Sequence, residues 1–287
     1  MSQDNRKYNK KRNYSKGNRR PQKSYDPKAN EYVKMYKEVE DESKLEGRNS
    51  VEEALEAGRG FENIWYLKPQ SGKKIDDRLG AIIEQLRDTN ARLHAVERKT
   101  LDRMAVTHNH QGIIAEVETR EYAEVSDILR LAEERGEVPF ILILDELQDA
   151  QNLGAILRTA DAAGVHGVII PIRRSVALDA TVAKTSVGAI EHVLVARVNN
   201  LNQTISELKD QGLWIGGLDV PGENIFESDF LKQPLALVVG NEGDGISPSV
   251  SKNCDFLLEI PMHGQINSLN ASNAAAVAMY AVLNKRG

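Results

Sequence analysis

One cysteine, Cys254, occurs in 287 residues. No disulfide can form within one chain, and a reducing cytoplasm is the natural expectation. No apolar run is long enough to cross a bilayer. The N-terminus is basic but lacks an apolar h-region, so it does not read as a secretory signal. Only six histidines are present. His108 and His110 stand two apart, and no cysteine or second histidine pair completes a zinc pattern. Aliphatic residues are nearly missing from about the first 44 positions, which are rich in Asn, Lys, Arg, Ser and Gln with Tyr8, Tyr14 and Tyr25 interspersed. Such a segment cannot bury enough apolar surface to offset chain entropy, and residues 1–44 are expected to be a disordered arm.

What is present bounds the rest. A hydrophobic share of 41% is enough for a real core, and this length suits one large or two ordinary domains. The net charge of −5 conceals an asymmetry. Residues 1–24 hold nine Lys or Arg and one acid, Asp4, a net of +8, which leaves −13 for the remainder. A basic arm on an acidic body points to nucleic acid, because attraction to phosphate is local and salt-screened. Arginine and tyrosine together contact phosphates and stack on bases. A solubilising tail is the alternative.

Order is expected from Leu45. Asn49-Ser-Val-Glu-Glu-Ala-Leu reads as a helix start capped by Asn49 or Ser50. Strands are predicted at 63–67, 92–96 and 112–117, and helices at 79–89 and 100–106. They make a small α/β domain over residues 45–119, with His110-Gln-Gly-Ile113 as a turn before a strand. A polar linker covers 119–124. From Val125 to the end, helices alternate with short, continuously apolar strands. The helices are expected at 125–135, 152–163, 180–188, 201–211 and 272–283. The strands are expected at 140–144, 165–170, 192–196, 213–218, 235–239 and 256–260. This pattern implies a mainly parallel sheet covered on both faces.

Three polar, glycine-bearing segments follow strands in this second domain, residues 120–287. They are Asn152-Leu-Gly-Ala-Ile-Leu-Arg-Thr-Ala160, Leu237-Val-Val-Gly-Asn-Glu-Gly-Asp-Gly-Ile246 and Ile260-Pro-Met-His-Gly-Gln-Ile-Asn-Ser-Leu-Asn-Ala-Ser272. In open α/β sheets, ligands bind at the carboxyl ends of strands, so three such turns can converge on one pocket. Asn152 reads as a helix N-cap, and Gly154 as a point of close approach. Arg158, among Ala and Leu residues, reads on its own as a solvent-facing arginine paired with Asp161. The order Gly240-Asn-Glu-Gly-Asp-Gly245 is not that of a dinucleotide loop. Glu242 and Asp244 would repel a pyrophosphate and would suit a cation such as a sulfonium. Ser268, Asn270 and Ser272 offer hydroxyl and amide groups at the head of the final helix, where capping is their plain role.

In this order the three segments resemble the signature motifs of the SpoU family of RNA 2′-O-ribose methyltransferases, within the SPOUT superfamily. The resemblance runs from about Leu45 to Gly287 and lies in the ordered set. It implies a C-terminal SPOUT domain threaded through a trefoil knot, and an N-terminal substrate-binding domain like a ribosomal-protein RNA-binding fold, with His110-Gln-Gly-Ile113 as part of that match. It implies S-adenosyl-methionine as methyl donor, a homodimer, and an RNA substrate, most directly a guanosine of 23S rRNA. A tRNA guanosine, or a non-catalytic RNA-binding or ribosome-assembly role, are the alternatives. Asn152 and Arg158 match the family's catalytic Asn and Arg at the same six-residue spacing. Glu242 matches its acidic loop position, and Ser268 and Asn270 match active-site positions. Backbone around Gly240, Ile260 and Leu269 matches the cofactor edge. Two departures stand out. Asp149-Ala-Gln replaces the usual Asp-Pro before Asn152, which is expected to loosen the turn, and Asn273 replaces a small apolar residue.

Overall fold

Phe140-Ile-Leu-Ile-Leu144 is buried at every position, as a strand must be when both faces of its sheet are covered. It lies inside the larger of two sheets. The computed structural model describes residues 28–69, 74–107, 109–265 and 268–287. The first part carries α1 (Ala29–Glu38), β1 (Lys44–Glu46), α2 (Arg48–Glu56), β2 (Phe61–Leu67), α3 (Asp77–Leu86), β3 (Arg92–Val96), α4 (Arg98–Met104) and β4 (Ile113–Val117). The second carries α5 (Val125–Arg135), β5 (Phe140–Leu144), α6 (Ala150–Ala162), β6 (Gly167–Pro171), α7 (Ala180–Thr185), β7 (Leu194–Val198) and α8 (Leu201–Asp210). It continues with β8 (Trp214–Asn224), β9 (Leu235–Val239), α9 (Pro248–Ser251), β10 (Phe256–Glu259) and α10 (Ala271–Arg286).

The first part forms a four-stranded mixed sheet in the order β1-β4-β2-β3. The second forms a six-stranded sheet in the order β10-β8-β9-β5-β6-β7, and every pair in it is parallel. Its strands are aliphatic because helices cover both faces: Leu142 and Leu144 point to one core, Ile141 and Ile143 to the other. The α/β architecture expected of both parts is present. Most ends differ from the expected ranges by one to three residues, as element termini generally do, but β8 runs six residues beyond Leu218, and β1 and the short α9 were not expected. Burial pushes the Cys254 thiol up to about 11, so it stays protonated at neutral pH.

Residues 28–44 depart from the expectation of a disordered arm. Tyr32, Val33, Met35 and Tyr36 follow helical spacing, and Val33 and Tyr36 are buried against Trp65, Leu101, Met104 and Ile114. Low aliphatic content misleads here, because Tyr36 and the partly buried Tyr32 add apolar area to Val33 and Met35. Residues 1–27 lie outside the described residues. The start of α2 also differs. Gly47, at φ 97, precedes Arg48, and neither Asn49 nor Ser50 is the cap.

The two parts are held together by buried charge. Glu191, on a 3-10 turn after α7, takes Arg59 at 3.1 Å and Arg120 at 2.9 Å, with 5% of its side chain exposed. Lys184 of α7 donates to Thr107 Oγ1 at 2.7 Å and to the Asn109 carbonyl at 2.8 Å. The linker adds a parallel bridge from Ala123 to Ala196 on β7.

Packing of α1 makes a direct prediction. Tyr36→Ala should lower stability by about 3 kcal/mol, the order typical of a buried aromatic truncated to alanine. Urea unfolding checks this, and an unchanged midpoint would mean that α1 contributes nothing to the fold.

Candidate functional site

Three turns meet at the carboxyl ends of β5, β9 and β10. The first leaves β5 through Asp145 and enters α6. Asp149 caps that helix, its side chain accepting the Gln151 N–H at 2.7 Å. Asn152, expected as the cap, lies inside the first turn and is buried. Its amide is therefore left for tertiary bonds. The Asp149-Ala-Gln run does not loosen the turn, since Asp149 ties it down and also accepts from Asn152 Nδ2 at 3.4 Å. Gly154 is a point of close approach, as expected. A Cβ there would lie 1.8 Å from Thr185 Oγ1 of α7 and 3.0 Å from the Ser186 nitrogen.

The second turn closes on itself. Asn241 and Gly245 exchange backbone hydrogen bonds at 3.1 and 3.2 Å. The Asn241 side chain accepts the N–H groups of Gly243 and Asp244, both at 2.8 Å. Asn241 is thus the organiser of this turn, a role that an amide between glycines signals in sequence only as turn propensity. Gly240 is required because a Cβ would meet the Gly245 carbonyl carbon at 2.0 Å. Buried Asp145 accepts the Ser247 N–H at 2.7 Å and fastens the exit of the turn to the end of β5. Sequence reasoning missed Asp145, which reads there as an ordinary polar residue ending a strand.

The third turn ends at Asn270, the N-cap of α10. Its Oδ1 accepts from the Ser272 N–H at 3.0 Å and the Ser272 hydroxyl at 2.6 Å. The helix starts normally despite Asn273, whose N–H donates to the same oxygen at 3.4 Å.

Side chains from the three turns bond to one another. Asn152 Nδ2 donates to Glu242 Oε1. Asn270 Nδ2 donates to Asn152 Oδ1 at 3.1 Å and to Glu242 Oε1 at 3.4 Å. Beside this set opens a cleft of about 320 Å³, lined by Gly240, Glu242, Ile260, Ser268 and Leu269. Every cofactor-edge position expected from sequence is on that wall. Asp219, Asp244 and Glu259 line it as well, which makes the wall acidic and attractive to a cation. Asp219 was missed, because β8 was expected to end at Leu218. No three of its acidic groups come together as a metal-binding cluster among the described residues.

Arg158 stands apart. Six residues along a helix is about 9 Å of rise and a rotation of about 240° from Asn152. Arg158 is exposed on α6, and the expected pairing with Asp161 is not formed. It shares no hydrogen bond with Asn152, Glu242 or Asn270.

Residues 139–280 match the model of the SpoU rRNA Methylase family. Residues 44–123 match the model described as RNA 2′-O ribose methyltransferase substrate binding. The protein YacO of Bacillus subtilis, which its name assigns to the TrmH family of tRNA/rRNA methyltransferases, is 46% identical over 240 residues, 84% of this chain and 94% of the relative. A protein of Staphylococcus aureus named for the same family is 44% identical over 84% of this chain and 95% of its own. Among solved structures, the SpoU methyltransferase AviRb of Streptomyces viridochromogenes, crystallised with AdoMet, superposes with a TM-score of 0.72. It is 25% identical and covers 85% of this chain and 89% of its own. A crystal structure of an RNA 2′-O ribose methyltransferase also gives 0.72 at 25% identity, over 91% of this chain and 96% of its own.

The glycine turn yields a paired prediction. Gly240→Val should destabilise the protein by about 1–3 kcal/mol, the cost of forcing volume into a filled space. Gly243→Ala should be nearly silent, because the nearest atom to its Cβ would be Asn241 Oδ1 at 3.5 Å. Thermal unfolding of both variants checks this. Equal effects would show that the closed turn does not set the requirement at 240.

Proposed function

The chain belongs to the SpoU rRNA methylase family of RNA methyltransferases, and from that premise we propose that it methylates the ribose 2′-hydroxyl of a guanosine in 23S rRNA. The observation that carries this is the hydrogen-bonded set of Asn152, Glu242 and Asn270 at the rim of an acidic, glycine-walled cleft. The cleft suits S-adenosyl-methionine. Its wall is backbone-rich where a Cβ cannot fit, and its carboxylates complement a sulfonium. Gly240, Ile260 and Leu269 would hold the cofactor. When bound, it would supply the methyl group: the ribose 2′-oxygen would form the new O–CH3 bond as the S–CH3 bond breaks to leave a neutral thioether, and the hydroxyl proton would pass to solvent water.

The chain's own residues orient that hydroxyl. Asn152 is locked by Asn270 and Glu242 and presents a fixed amide edge. Ser268 faces the same cleft and positions the ribose. A free guanidinium with a pKa above about 12 is a poor base, so Arg158 acts by polarising the hydroxyl and stabilising developing charge. Because Arg158 is exposed and remote from the set within one copy, it works on the site of a second copy in a homodimer. Half-exposed Tyr280 and Leu283 on α10, which packs against α6, supply apolar area for such contact. The nine basic residues of positions 1–24 add attraction for RNA. An rRNA substrate is favoured over tRNA because a whole unit precedes the methylase part. The assembled site speaks against a purely structural role.

Tritiated methyl transfer to naked 23S rRNA and to tRNA tests the substrate. Arg158→Ala should lower turnover on the order of 100-fold while leaving calorimetric cofactor affinity within a few-fold. Arg158→Lys should not restore it fully, since the planar fork is lost. Light scattering should give a dimer at micromolar concentration. A monomer, or a folded Arg158→Ala protein with near-normal turnover, would overturn the assignment of Arg158.

A further inference from the structure

Strand β8 breaks step with its neighbour at the rim of the glycine-walled cleft. Gly217 pairs with Leu257 of β10, but the next paired residues are Glu223 and Leu258. Residues 218–222 therefore bulge out of the β10 ladder. Pairing with β9 stops at the same place, with Leu218 against Val239. A bulge bends its strand and re-aims a side chain, and bulges recur beside active sites. The side chain that this one delivers to the cleft wall is Asp219. Neither the junction of the three turns nor the methyl transfer uses it.

The Asp219 carboxylate lies against the glycine turn. A Cβ on Gly245 would stand 3.4 Å from its Oδ1 and 3.6 Å from its Oδ2. Oδ1 accepts the N–H of Val220 at 2.8 Å. Oδ2 accepts nothing among the described residues, and no lysine or arginine among them pairs with this carboxylate. The other acids of the cleft are placed differently. Glu242 Oε1 is taken by Asn152 and Asn270. Glu259 Oε2 accepts the Gly222 N–H at 3.1 Å. Asp244 is exposed on the turn itself.

Strand order sets what Asp219 can reach. The sheet runs β10-β8-β9-β5, and neighbouring strands lie about 4.8 Å apart. Asn152 follows β5 and Glu242 follows β9, so the reacting methyl belongs on that side. Ile260 follows β10, on the opposite side. Asp219 stands between them, two strands or roughly 10 Å from β5. In S-adenosyl-methionine the ribose likewise stands between the sulfur and the base. Dinucleotide folds hold a ribose hydroxyl with an acid placed near a glycine turn at the carboxyl ends of parallel strands. The turn here is not a pyrophosphate loop, but the placement of the acid is shared. A carboxylate only accepts hydrogen bonds and has room for about four of them, so it matches a diol that donates two.

We propose that Asp219 holds the ribose 2′,3′-diol of the cofactor, with both hydroxyls donating to its carboxylate. This rests on the reading of the cleft as an S-adenosyl-methionine site. The bulge in β8 then sets the cofactor's register across the strand ends: with the ribose fixed at Asp219, the sulfur falls on the Glu242 side.

The test crosses one substitution with one change of ligand. Asp219→Asn removes the charge but keeps an Oδ1 for the Val220 N–H, and its thermal unfolding midpoint should be unchanged. Binding is measured by calorimetry with S-adenosylhomocysteine, whose sulfur is a neutral thioether, and with its 2′,3′-dideoxyribosyl analogue. Asp219→Asn should bind S-adenosylhomocysteine about ten-fold more weakly, as for loss of a hydrogen bond to a charged group. The unaltered protein should lose a similar factor towards the dideoxy analogue. The two losses should not add, so that the variant binds both ligands alike. Additive losses, or an unchanged affinity of the variant for S-adenosylhomocysteine, overturn the assignment. A loss seen with S-adenosyl-methionine alone also overturns it, and makes Asp219 a counter-ion of the sulfonium. Should the variant not fold, the ligand change decides: equal affinity of the unaltered protein for the two ligands sinks the proposal. If the unaltered protein binds neither S-adenosyl-methionine nor S-adenosylhomocysteine, the methyltransferase reading fails and the assignment falls with it, whereas additive losses remove the assignment alone.

Discussion

One carboxylate oxygen, Glu242 Oε1, receives amide hydrogens from Asn152 and Asn270, which stand 90 and 28 residues away in the chain. The arrangement of the site depends on this junction. Each turn is folded by its own local bonds: Asp149 caps one, Asn241 closes the second, and Asn270 caps the third. Local bonds do not fix the turns relative to one another. The junction does, and it is costly to break, because Asn152 is buried and an unpaired amide would lose solvation worth about 1–3 kcal/mol without recompense. The parallel sheet places all three turns at one edge, and Asp145 fastens the second to the first.

Charge is divided between two regions with different work. The glycine-walled cleft is acidic, with Asp219, Glu242, Asp244 and Glu259 around it. Basic residues are concentrated elsewhere: nine stand at positions 1–24 of the sequence, and Arg158 is exposed on α6. An acidic total charge therefore does not oppose RNA binding, since screening confines each region's field to about 8–10 Å. The Glu191 junction with Arg59 and Arg120 ties the N-terminal unit to the methylase part, because a nearly dry carboxylate between two arginines does not part easily.

The sheet was legible because its strands are buried on both faces and so appear as unbroken aliphatic runs, Phe140–Leu144 and Leu235–Val239 above all. That Asn152, Gly240, Glu242 and Asn270 meet at one edge of the sheet was legible because ordered motifs outweigh each residue's local reading. Helix α1 was missed because only Val33 and Met35 join two tyrosines on its apolar stripe, in a segment otherwise polar. Asp145, Asp219 and Asn241 were missed because their work is tertiary, or lies in backbone N–H groups that no periodicity marks. The position of Arg158 shows the limit of spacing arguments. Six residues match the motif, yet on a helix that interval turns the side chain away from Asn152.

The most direct measurement is tritiated methyl transfer from S-adenosyl-methionine to naked 23S rRNA by Asn152→Ala beside the unaltered protein. The account predicts transfer to a ribose 2′-oxygen by the unaltered protein. It predicts a loss on the order of 100-fold in the variant, with cofactor affinity little changed. Turnover by a folded Asn152→Ala protein at the unaltered rate would contradict it, because the junction of the three turns would then have no part in the chemistry.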